Sequence, residues 1–168
     1  MGYAHDTAMS KFVDPKDFMH SAGTWTDTNA ATMWYLRRTA ADVVWVSKIP
    51  IAPLQNSVAL KGSKLASINL WFKVATTALD SCAAALYMAT LPADGAAMAT
   101  VLVATSYDAG HDDAAERIDI DEHKMTLTLT TPAWLDNDDL YYVEVSVDPA
   151  VGSVFDWYGA RVNYTLRV

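Results

Sequence analysis

Along most of the chain, apolar and polar residues take turns with a period of two. In "MTLTLT", residues 125 to 130, Met125, Leu127 and Leu129 alternate with Thr126, Thr128 and Thr130. Successive side chains of a strand point to opposite faces, so three apolar groups line a core and three hydroxyls face the other way. Threonine is β-branched and suits an extended backbone. Pro132 cannot donate to a ladder and is expected to end the run. "LDNDD", residues 135 to 139, is turn chemistry, because Asn and Asp bond nearby backbone and tolerate left-handed conformations. Alternation then resumes. Tyr141, Val143, Val145 and Val147 share one face, and Tyr142, Glu144, Ser146 and Asp148 the other, until Pro149 and Gly152. The two strands are expected to be antiparallel neighbours.

The C-terminal "GARVNYTLRV" repeats the device: Ala160, Val162, Tyr164, Leu166 and Val168 oppose Arg161, Asn163, Thr165 and Arg167. Further upstream, Ile68, Leu70, Phe72 and Val74 oppose Asn69, Trp71 and Lys73. Residues 32 to 39 and 42 to 51 read as strands, with Pro50 and Pro53 placing the second near an edge or corner. "ATVLVATSY", 99 to 107, is apolar on both faces, as a central strand would be. "AAALYMATL", 83 to 91, suits a strand or a short helix, and its brevity and Pro92 favour the strand.

About eight or nine short strands and no helix of ten or more residues imply an all-β fold. The expected architecture is an antiparallel β-sandwich with jelly-roll or Greek-key connections over residues 23–168. Residues 1–22 have mixed polarity and no period, and are expected to be an extended N-terminal arm. Removing residues 1 to 20 is expected to leave the sandwich folded and weaken assembly.

Composition narrows the function classes. A hydrophobic content of 52% with 19% charged residues excludes global disorder, and 168 residues suit one domain. The net charge of −8 is unevenly placed: residues 1 to 80 carry +2 and residues 81 to 168 carry −10. No basic stripe runs along the chain, so neither nucleic acid nor an anionic membrane is an expected partner. The first twenty residues hold no apolar core of signal-peptide length, and no apolar run approaches the roughly 20 residues that span a bilayer. The single cysteine, Cys82, excludes an internal disulfide, and among alanines it reads as a small buried residue.

Reactive chemistry is hard to find. "SYDAGHDDAAERIDIDEHK", 106 to 124, holds seven carboxylates and two histidines. The spacing of a calcium loop is absent, so it reads first as a solvated acidic loop and second as a calcium site between loops. His111 and His123 lie twelve residues apart with no helix to join them, and His5 and His20 fall in the arm. Ser106, His111 and Asp112 could be imagined as a triad, but triads are defined by geometry rather than proximity in sequence. The expectation is no catalytic residue, no cofactor and no metal ligand.

The aromatics carry more. Most should fill the core. Trp71, however, alternates with Asn69 and Lys73 and so should point outward. The same logic sets either Trp34, or its neighbours Met33 and Tyr35, on an outer face. Large apolar groups there signify a contact surface. Trp71 and Trp34, with Phe12 and Phe18 of the arm, are the expected interface residues.

The opening "MGYAHDTAMSKFVDP" and "SAGTWT", the middle "KLASINLWFKVATTALD", and the closing "TLTLTTPAWLDNDDLYYVEVSVD" with "FDWYGARVNYTLRV" resemble a group of small tailed-bacteriophage virion structural, decoration-type proteins. The resemblance implies a β-sandwich component of the virion, assembled in the host cytoplasm, which associates with itself and with other virion proteins. It carries no catalytic residue. The expected function is a virion structural or capsid-decoration protein. The alternative is a glycan- or receptor-binding module, with aromatics as stacking platforms and acidic loops holding calcium.

Overall fold

The structure is a computed structural model, and it describes residues 5–30, 33–39, 42–53, 62–92 and 96–167. Thr32 and Val168, each expected in a strand, lie outside the described residues. Among the described residues twelve strands run in chain order: β1 (Asp6–Val13), β2 (Met19–His20), β3 (Trp25–Ala30), β4 (Met33–Arg38), β5 (Trp45–Ile51), β6 (Gly62–Ala75), β7 (Leu79–Thr90), β8 (Ala99–Val103), β9 (Thr105–Tyr107), β10 (Glu122–Trp134), β11 (Asp139–Pro149) and β12 (Val154–Arg167). Single 3-10 turns occupy Pro15–Asp17 and Ala115–Arg117. Among the described residues no helix is long and apolar enough to cross a membrane.

The strands form two antiparallel sheets. One has the order β3-β4-β12-β6-β10-β9, with β1 also paired to β12; the other runs β2-β5-β11-β7-β8. The central strands β4-β12-β6-β10 lie opposite β5-β11-β7-β8, so late strands insert between early ones in both layers. That is jelly-roll connectivity. The period-two faces are as the pattern requires. Ile68, Leu70, Phe72, Val74, Met125, Leu127, Val143, Val145 and Val147 are all fully buried between the layers. The segment at 83 to 91 is a strand, and Pro50 lies on β5 beyond the short edge strand β2, which pairs only with Ser47 and Lys48.

Three expectations are corrected. First, β10 and β11 are not neighbours: β10 pairs with β6 and β9, whereas β11 pairs with β5 and β7. The turn between them crosses from one sheet to the other, with Leu135 fully buried in the corner and its N–H donating to the Ser63 carbonyl at 3.0 Å. Second, Pro132 does not end β10. The ladder slips between Thr128 and Ala133, and the strand continues to Trp134 past that irregularity. Third, "ATVLVATSY" is not central. It divides at Ala104 into β8, at the edge of one sheet, and β9, at the edge of the other.

The stretch expected as an arm is extended, and it lies along its own sheets. β1 pairs with β12 over eight positions, from Asp6↔Arg167 to Val13↔Ala160. Val13, Pro15 and Phe18 are buried. The ring of Phe18 meets that of Trp157 edge-on at 5.3 Å. Phe18, expected in a surface contact, is therefore a core residue: the 3-10 turn at Pro15–Asp17 turns the chain inward just before it.

Candidate functional site

The outer face of the larger sheet gathers the aromatics. Trp71 occupies the outward position on β6 that the alternation predicts, and Phe72 beside it is fully buried. In the neighbouring strand β12 the ladder slips between Trp157 and Gly159, which oppose Phe72 and Trp71. Such a bulge adds one residue to its strand and re-aims the side chains around it. Here Trp157 stays fully buried, while Tyr158 lines an outer cleft beside Trp71.

Gly159 completes the device. Its φ of +135° lies in the region that favours glycine, and a Cβ there would sit 2.3 Å from Cζ of Phe12. The missing side chain makes room for Phe12, whose ring covers the glycine from β1. Phe12 still leaves 55% of its surface exposed. Phe12, Met33, Trp34, Trp71, Tyr158 and Arg161 line a cleft of about 260 Å³. Three of the four expected interface residues, Trp71, Trp34 and Phe12, thus converge on it, although they are distant in sequence.

Polar groups frame the aromatics. The Arg161 guanidinium lies 5.0 Å from the Trp71 ring centroid, and Lys16 Nζ lies 4.9 Å from that of Trp34. Next to Trp71 a row of amides and hydroxyls crosses three strands. Asn163 Nδ2 donates to Asn69 Oδ1 at 2.7 Å, and Asn69 Nδ2 donates to Thr126 Oγ1 at 2.8 Å. Asn163 also borders a second shallow cleft, with Ser10, Tyr164 and Thr165. On the other side, Arg37 holds the buried Asp156 carboxylate through two hydrogen bonds of 2.7 Å. That pairing lifts the Arg37 pKa further above its ordinary value. Burial, with Glu122 and Asp156 nearby, pushes the Tyr158 hydroxyl up to about 12, so it stays a neutral donor at physiological pH. The face therefore offers flat apolar rings beside fixed hydrogen-bonding groups.

The acidic stretch folds differently from its reading. His111 and His123 do meet: His111 Nε2 lies 3.3 Å from His123 Nδ1, and both residues are buried. A loop and the start of β10 bring them together, which no helical spacing could reveal. His111 Nδ1 donates to Asp108 Oδ1 at 2.7 Å, and His123 Nε2 donates to the Asp119 carbonyl at 3.0 Å. Asp108 also accepts the Thr126 N–H. Burial works against the Asp108 charge, but these hydrogen bonds outweigh it and hold the carboxyl below the usual range. The cluster clasps the loop to β10. His111 Nδ1 serves Asp108 and its Nε2 faces His123 Nδ1, so Ser106 is not the group opposite either nitrogen. Among the described residues no group of three or more His, Cys, Asp or Glu side chains is placed to hold a metal ion. The carboxylates instead cap backbone: Asp108 takes the Gly110 N–H, Asp113 that of Ala115, and Asp121 that of Glu122. Cys82 is buried, and desolvation raises its thiol to about 12, which leaves it inert.

No protein-family model matches the chain, and no curated protein matches it significantly. Solved structures do. A carbohydrate-binding module of the β-sandwich superfamily aligns at 10% identity with a TM-score of 0.38, over 95% of this chain and 56% of that one. The enzymatically active domain of tailspike protein 4 from bacteriophage CBA120 aligns at 10% identity and a TM-score of 0.43, over 89% of this chain and 20% of that one. A carbohydrate esterase from the Shiga toxin-encoding bacteriophage phi24B aligns at 14% identity and a TM-score of 0.40, over 96% of this chain and 99% of the other. This chain therefore spans about half of the first of these proteins and a fifth of the second.

Proposed function

We propose that the protein is a carbohydrate-binding β-sandwich module that recognises sugar on the outer face of its larger sheet, without catalysis. The carrying observation is the cleft of Phe12, Trp34, Trp71, Tyr158 and Arg161, set against the Asn163–Asn69–Thr126 row. A pyranose has an apolar face of C–H groups and a rim of hydroxyls. An aromatic ring takes the first and a planar amide takes the second. The Asn69 and Asn163 amides are held in one geometry by their mutual bond, so little rotamer freedom is lost on binding. The virion implied by the resemblance in sequence is the proposed setting, with the module tying a particle to a surface glycan.

The test is a glycan array followed by calorimetric titration of the best ligand. A bound sugar whose affinity falls about 10-fold or more in Trp71→Ala supports the reading, since aromatic anchors at the centre of a contact carry most of its energy. Binding that Trp71→Ala leaves intact would overturn it.

A second reading, a decoration role in which the same face meets a shell protein, has the exposure of Phe12 in its favour. It differs in outcome: no sugar binds, and Trp71→Ala abolishes co-sedimentation with particles.

A further inference from the structure

The five-stranded sheet ends in a strand unlike the other open edges. β8 reads "ATVLV": it carries no charge and no proline, and Val101 and Leu102 expose 52% and 61% of their surface. Met98, just before it, is 61% exposed. Natural edge strands are blunted by charge, shortness or bulges, because an unpaired row of N–H and C=O groups is a template for another strand. The other terminal strands obey that rule. β1 carries Asp6 and Lys11, β3 carries Asp27, and β2 and β9 span two and three residues. Among the described residues nothing pairs with the outer edge of β8.

We propose that β8 is the interface of a homodimer, in which two copies pair β8 antiparallel about a two-fold axis normal to the sheet. The occupant is a second copy because the segment is neutral on a chain of net charge −8. A two-fold contact sets each patch against its own copy; residues 81 to 168 carry −10, so most patches of this half would meet acid with acid, whereas β8 against β8 brings no like charges together. Identical strands in antiparallel register satisfy each other's open backbone groups and close a two-fold contact without leading to a filament. The two five-stranded sheets become one of ten. Across the joint, Leu102 extends the outward row that it already shares with Tyr87 and Tyr142 through their register.

A two-fold normal to a sheet preserves its faces. Both larger sheets therefore lie on the same side of the fused sheet, and both aromatic clefts point the same way. On the reading that those clefts bind sugar, the dimer is a bivalent grip on a glycan-coated surface.

Sedimentation across a concentration series tests the interface. Wild type is expected at about twice 18.3 kDa and Val101→Lys at 18.3 kDa, with circular dichroism unchanged. A conservative trap covers the case in which the lysine variant misfolds: Val101→Cys or Leu102→Cys should form an interchain disulfide on mild oxidation, Cys82 being buried. A wild type that is monomeric throughout, or a dimer that neither lysine nor cysteine at these positions affects, overturns the proposal. The sugar reading fails separately. If it holds, Val101→Lys keeps the wild-type affinity for soluble ligand and loses roughly 10²-fold on an immobilised glycan surface. If neither form binds sugar while the masses behave as stated, the dimer stands without the bivalent grip.

Discussion

Two single residues show how local chemistry shapes the site. Gly159 carries no signal in the period-two pattern, yet it makes room for Phe12 over β12. Gly159→Ala combines an unfavourable φ with a Cβ 2.3 Å from the Phe12 ring. A loss of about 2 kcal/mol is expected in urea unfolding, with weaker sugar binding as Phe12 is displaced. His20 is the second. Its Nδ1 meets Ser47 Oγ at 2.8 Å and its ring stacks on Trp25 at 3.8 Å. Among the described residues nothing partners its buried Nε2. Desolvation, with Arg38 nearby, lowers its pKa from 6.5 to about 4. The sign follows directly: between pH 6.5 and 4 the unfolded chain takes up a proton that the folded chain refuses, so stability falls with acid across that window. After discounting for solvent access, the loss is about 1–2 kcal/mol. His20→Gln should flatten the melting-temperature profile between pH 7 and 4.5; an unchanged slope would show that His20 is not its source. Trp71 could be placed from its neighbours, because alternation decides which face a residue takes. The His111–His123 pair could not, because a loop closes it.

Elements were legible as strands and illegible as partners. Period two gives the face of each strand, and nearly every expected inward residue is buried. It is silent on which strand lies alongside. β10 and β11 looked like neighbours because a polar-ended loop joins consecutive alternating runs, but the corner is pinned by Leu135 beneath it. β8 looked central because it is apolar on both faces, yet it ends its sheet. The join of β4 to β12 is instructive for energetics. Only Phe155↔Arg38, Asp156↔Arg37 and Trp157↔Leu36 pair. The Asp156 side chain is 2% exposed, and Arg37 is its charged partner at 2.7 Å. Removing one member of a buried pair leaves an uncompensated charge, so Arg37→Ala should cost about 3 kcal/mol or more in chemical denaturation. A cost under about 0.5 kcal/mol, typical of a surface pair, would show that water already screens the carboxylate.

For the whole molecule, the jelly roll explains why the first residues matter. The pattern suggested an arm needed for assembly and not for folding, since mixed polarity is what an edge strand and a free tail share. The structure lays that segment along β12 and sends Val13 and Phe18 into the core. Deleting residues 1 to 20 is now expected to lower stability by about 4 kcal/mol, from two buried side chains at roughly 2 kcal/mol each. Thermal melting reads it directly, and an unchanged melting temperature would restore the arm as an appendage. The same roll carries the face proposed to bind sugar, and tryptophans on and away from it can report on it. The most direct measurement is a nuclear magnetic resonance titration of the indole N–H signals with the best-binding glycan. Recognition on the outer face moves the signals of Trp71 and Trp34 and leaves those of Trp45 and Trp157, sealed between the sheets, in place. A glycan that binds while the Trp71 signal stays still, or no glycan that moves it at all, would contradict recognition on that face.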